Sequence, residues 1–168
     1  MRPFPHRIAE SRGNACFLLW VFAILACTCA STRSETNEPA IAVVVGHNMA
    51  PQEAVTTTIV LGMFARKRLF WSDHSAVVPV NLAASHPIRR AFSLWIFRKT
   101  PEQLQDYWND QYFHGVLPPP VLASEEAVLR FVASTSGAVG YVSSCNVDRR
   151  VDVIALVQSP EGSAPCTH

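Results

Sequence analysis

Apolar runs and helical spacings alternate along most of this chain. "IAVVVG", from Ile41 to Gly46, is a continuous β-branched run of strand length. "APQEAVTTTIVLGMFARKRLF", from Ala50 to Phe70, reads two ways. Its "VTTTIV" core favours a strand by propensity, while its length suits a helix of about twelve residues. In "WSDHSAVVPVNL" a turn at Asp73, His74 and Ser75 precedes a second strand. A helix then runs from Ser85 or His86 to near Lys99, with Ile88, Phe92, Trp95 and Ile96 on one face.

Thr100 and Gln103 have capping-box spacing around Pro101 and open a third helix, with Leu104 and Trp108 on its apolar side. "HGVLPPPV" is an irregular connection. Ser124 caps the next helix, where Glu125 and Glu126 suit the dipole. Val128, Phe131 and Val132 form its buried stripe, and Gly137 is placed to end it. "AVGYVS" and "VDVIALV" close the domain as strands. This alternation predicts a layered α/β domain over residues 41–157, a mixed sheet flanked by helices, with a tail at 158–168.

The leading residues differ. Arg2, Arg7 and Arg12 precede "CFLLWVFAILACTCA", an arginine-bearing lead followed by an apolar stretch that ends in small residues. Residues 1–30 therefore read as an export signal. The apolar stretch falls short of the roughly 20 residues that span a bilayer, although a retained anchor is the rival reading. "ILAC" resembles a bacterial lipoprotein box, which would put a lipid on Cys27 and tie the protein to the membrane. Cleavage after Ala30 is the soluble alternative. "STRSETNEPA" at residues 31–40 suits a tether. Either cut predicts a periplasmic or cell-envelope location.

The 168 residues are 49% hydrophobic and 16% charged, with a net charge of +1, enough for one domain. Without the leader, 11 basic and 12 acidic residues remain. No basic face argues for nucleic acid. Cys145 and Cys166 are the cysteines left in the body, so export predicts either a disulfide between them or two free thiols. The histidines show no metal-site spacing, and no glycine-rich phosphate loop or cofactor motif occurs. Asp73, His74 and Ser75 carry triad residue types but are adjacent, and adjacent residues cannot relay protons through one another. The chain reads as a non-enzyme with no cofactor and no metal.

The turn in "PVNLAASHPIRRAF" is the remaining candidate. A helix N-terminus exposes unpaired N–H groups and attracts anions. Ser85 stands at that end and Arg89 one turn on, while Pro87 removes one donor. Ordinary capping by Ser85 is the competing explanation.

From Ile41 to Val157 the sequence resembles the phosphate-type substrate-binding proteins of bacterial ABC transporters, which have a type II periplasmic-binding-protein fold of two α/β lobes. "MFARKRLFWSDHS" stands where that family reads Ile-Phe-Leu-Gly-Lys, a gap, then Trp-x-Asp-Gly. "SHPIRRAF" stands for Ser-Gly-Thr-Arg-x-x-Phe, and "LASEEAVLRFVASTSGAVGYV" for Ser-x-x-Ala-Val to Pro-Gly-Ala-Ile-Gly-Tyr-Val. Arg66 and His74 replace glycines, and Asn81 lies where the family has a phosphate-clamping arginine.

The resemblance implies a single lobe of the fold and a site at Ser85, His86 and Arg89 for a small anion such as phosphate. His86 enters because, with Arg89 and Phe92 setting the register, the Ser-Gly-Thr signature falls on His86, Pro87 and Ile88. One lobe offers one wall of a cleft, so weak binding is expected unless a second copy supplies the other. The alternative is a ligand-free interaction module, a homodimer or a partner of an envelope protein, docking through Tyr107 to Val121.

Overall fold

The computed structural model describes residues 40–47, 49, 51 and 54–158, within the unit Glu35–His168. The export signal, Cys27, the tether up to residue 39 and Cys166 lie outside the described residues.

Four strands form the main sheet: β1 (Ala40–Gly46), β2 (Val78–Pro79), β5 (Ala138–Ser143) and β6 (Val151–Gln158), in the order β2-β5-β1-β6. β2 runs parallel to β5, whereas β1 is antiparallel to both β5 and β6. The expected mixed sheet is therefore present. β1 is central and buried throughout its apolar run, which is why that run shows no alternation. Its pairing with β6 is irregular between Val43 and Val44. At one end of the sheet Ala40 faces Gln158 and Ile41 faces Ser143; at the other, Gly46 faces Val151.

The second predicted strand is divided. The Val80 N–H donates to the Val139 carbonyl at 2.9 Å, but the Asn81 N–H donates to Pro120 at 2.8 Å. The chain thus changes partner in mid-run, and β3 (Asn81–Leu82) pairs in parallel with β4 (Val121–Leu122). "HGVLPPPV" therefore ends in a short strand.

The "VTTTIV" ambiguity resolves as a helix, α1 (Thr57–Phe64). The Thr56 hydroxyl accepts from the Ile59 N–H at 3.4 Å, and Val60, Met63 and Phe64 become buried. Propensity differences of up to ~0.7 kcal/mol per residue are small beside burial of that face. α2 (Pro87–Phe97) buries Phe92 and Ile96, with Ile88 and Trp95 packed at the margin. The capping box is formed: the Thr100 N–H donates to Gln103 Oε1 at 2.9 Å and the Gln103 N–H to Thr100 Oγ1 at 3.3 Å. It opens a 3₁₀ turn that leads into α3 (Gln105–Phe113).

α4 (Glu125–Ser134) is capped by Ser124 as expected, with Val128, Leu129 and Val132 inside and Phe131 half-buried. Its last residue is followed by Thr135 in extended conformation, so Gly137 does not end the helix. Gly137 instead turns the chain into β5 with φ +73°. Phe92 stacks on Tyr141 at 3.8 Å between ring centroids, and Phe64 meets Phe92 edge-on at 4.7 Å.

Candidate functional site

The start of α2 lies at the end of the sheet where Ala40 enters the domain and Gln158 leaves it. Glu125 fixes this arrangement: its Oε2 accepts from the Ser143 N–H, and its Oε1 lies 3.9 Å from His86 Nε2. Each candidate residue has a distinct environment. Ser85 is exposed in the turn before the helix. It is not the cap. His86 has that role, with φ −71° and ψ 131° and its Nδ1 accepting from the Ile88 N–H at 3.2 Å. The sequence pointed to serine because serine is the commoner cap. Here Pro87 takes the first helical position, so the preceding residue becomes the cap.

Arg89 turns inward and is only 8% exposed. Its Nη1 donates to the Tyr141 hydroxyl at 3.4 Å, while its Nε has no partner in the described structure. Burial pushes the guanidinium below its ordinary value, with Tyr141 opposing the shift. The Tyr141 hydroxyl donates to Asn81 Oδ1 and accepts from the Leu82 N–H, both at 3.2 Å. Burial raises this phenol to about 12, against the pull of Arg89 and of the Leu82 N–H. No carboxylate pairs with Arg89 among the described residues. The helix start therefore lies above a buried positive charge held by neutral groups.

This network was not visible in the sequence. Tyr141 looks like one more apolar member of "AVGYVS", and only the topology brings Asn81, Arg89 and Tyr141 together. Asn81, at the position of the expected arginine, is buried and binds Tyr141. Glu125 was also missed, although its negative charge beside His86 opposes anion binding.

Away from this end, Asp73 Oδ1 accepts from both the N–H (2.9 Å) and the hydroxyl (2.6 Å) of Ser75, so "DHS" is a turn. These bonds hold the Asp73 carboxyl below its ordinary value. A cavity of about 460 Å³ lined by Trp71, Asp73, Ser75 and Ser136 opens by Val45 and Ala138, at the opposite end of the sheet from His86. Among the described residues no group of His, Cys, Asp and Glu could hold a metal ion. Cys145 is disulfide-bonded, with its partner outside the described residues.

Arg66 and His74, which replace glycines in the sequence resemblance, both have positive φ, 58° and 66°. The backbone thus keeps a conformation easiest for glycine, at about 1–2 kcal/mol per non-glycine residue. His74→Gly should therefore stabilise the exposed turn by about 0.5–1 kcal/mol after the entropy cost of glycine, measurable by urea unfolding. A loss of stability would mean that the imidazole makes a needed contact.

Two solved structures resemble the fold of this chain over part of their length. One is assigned as a phosphate ABC transporter substrate-binding protein from Clostridium perfringens, with bound phosphate (TM-score 0.55, 18% identity). The other is an ABC-type phosphate transport receptor from Vibrio cholerae (TM-score 0.55, 20% identity). The chain has the fold of the aligned part of these two proteins, a mixed sheet flanked by helices. Each alignment covers 68% of this chain but only 44% and 45% of those receptors, so the chain spans less than half their length. No family profile matches the sequence, nor does any curated protein. Among the described residues no helix is long and apolar enough to cross a membrane.

Proposed function

We propose that this chain is an exported, non-catalytic binding protein that takes a small oxyanion such as phosphate at the start of α2, weakly and in the open. The carrying observation is the buried Arg89 guanidinium, unpaired with any carboxylate among the described residues, beneath an exposed helix start. Helix dipole and buried charge act in the same direction, so Ser85 and His86 would meet an anion in a positive field. The likeness to phosphate receptors supports the ligand class. Weakness follows from the single wall and from Glu125, whose charge lies beside the proposed site.

Export rests on the leader sequence, with Cys27 as the proposed lipid attachment point. We assign Cys166 as the partner of Cys145 because the other three cysteines fall in or beside the leader. A ligand-free interaction module is the second reading, favoured by the exposure of Tyr112 (63%) and Phe113 (87%) on α3. α3 buries none of its residues.

Isothermal titration with phosphate separates the two readings. The expected result is saturable millimolar binding that Ser85→Ala weakens and Glu125→Gln strengthens several-fold. The glutamine keeps an oxygen for the Ser143 N–H while removing the opposing charge. No heat with either the native chain or Glu125→Gln would reject the anion site and leave the module reading.

A further inference from the structure

A second cavity, of about 310 Å³, lies among α1, the end of α2 and the beginning of α3, and the anion reading gives it no part. Its walls are apolar: Leu61, Ala65, Phe97, Leu104 and the ring of Tyr107. The Tyr107 hydroxyl donates to the Ala65 carbonyl at 2.8 Å, so the polar tip of that ring is already satisfied. The volume is at the lower end of the range of small-molecule pockets.

The charged side chains at this cavity are Lys67 and Lys99. Both are exposed, and neither has a hydrogen-bond or ion-pair partner among the described residues. Lys67 is the middle residue of Arg66-Lys67-Arg68, whose arginines are engaged elsewhere: Arg66 donates to the Val77 carbonyl and Arg68 to that of Phe70. No acid lines the cavity. An apolar hollow with two unpaired cations at its edge is complementary to a molecule with an apolar body and a single anionic end.

We propose that this cavity binds a free organic monocarboxylate with an apolar body, its tail against Leu61, Phe97 and Leu104 and its carboxylate facing Lys67 and Lys99. The inference does not depend on the anion site at α2, which lies at the other end of that helix.

The test is calorimetric titration of the full chain with octanoate and, in parallel, octanol. Octanoate is expected to bind saturably and about tenfold tighter than octanol, a gain on the scale of two partly exposed ion pairs. The double variant Lys67→Ala/Lys99→Ala should lose that advantage and keep the octanol affinity. Its side chains are exposed, so its melting temperature should match the native chain. Thr58→Trp, which fills the cavity from the exposed side of α1, should weaken both ligands. Equal affinity for the two ligands, no binding, octanoate affinity unchanged in the lysine variant, or binding unaffected by Thr58→Trp would each overturn the proposal.

Discussion

Gly137→Ala is expected to destabilise the domain by about 2–4 kcal/mol. A Cβ at this position would lie 2.0 Å from the Ala76 carbonyl oxygen, and the residue has φ +73°. The left-handed conformation alone costs an alanine about 1 kcal/mol or more. The clash adds a further 1–3 kcal/mol because the opposing atom is backbone and cannot rotate away. Gly137 also joins two parts of the fold, since its carbonyl accepts from Trp71 Nε1 and from the Val78 N–H, both at 3.0 Å. Displacing it would disturb both the Trp71 turn and the β2–β5 pairing. Gly115 is the control: its φ is +76°, but nothing lies within 4 Å of a Cβ there. Gly115→Ala should cost only about 1 kcal/mol. Urea unfolding of the two variants tests the comparison, and similar losses would show that the Ala76 loop yields freely.

Tyr141→Phe should cost about 2–3 kcal/mol with little change in shape. The ring still stacks on Phe92, but the Asn81 oxygen, the Leu82 N–H and the Arg89 guanidinium each lose a partner in a buried place. Unsatisfied buried groups, one of them charged, set that scale. The same hydroxyl gives a pH signature. Folding raises its pKa from 10 to about 12, so between those values the folded chain keeps a proton that the unfolded chain has released. Its contribution is complete below pH 10 and is lost as pH rises through 12, about 2–3 kcal/mol in all. Denaturant midpoints followed from pH 9 to 12 should fall in the native chain and fall less in Tyr141→Phe. Parallel slopes would place the alkaline sensitivity elsewhere.

The elements that the sequence disclosed are those specified locally. The Thr100–Gln103 box, the Ser124 cap and the runs of β1, β5 and β6 need only a few neighbouring residues to define them. "VTTTIV" was undecided because β-branched propensity and the length of the segment oppose each other, and burial of Val60, Met63 and Phe64 decides. The division of "VVPVNL" was invisible because it depends on Pro120, about forty residues away, accepting from Asn81. The candidate site was legible only in outline. Its turn could be found from Pro87 and the helix pattern, yet the inward turn of Arg89, the cap on His86 and the approach of Glu125 are all tertiary outcomes. The exposure of Tyr112 and Phe113 was hidden for another reason. Aromatic residues in a helix usually signal burial, and nothing in "YWNDQYF" indicates that α3 packs against so little.

The pairing of Ala40 with Gln158 has a topological consequence. A unit whose first and last strands are paired, with their outer ends side by side at one end of the sheet, can be spliced into a surface loop of another protein without stretching its host, or closed on itself and reopened elsewhere. The exposed turn at Gly115 is a natural place to reopen it. Such a permutant would keep the β1–β6 seam as a covalent hairpin and should fold with the same core.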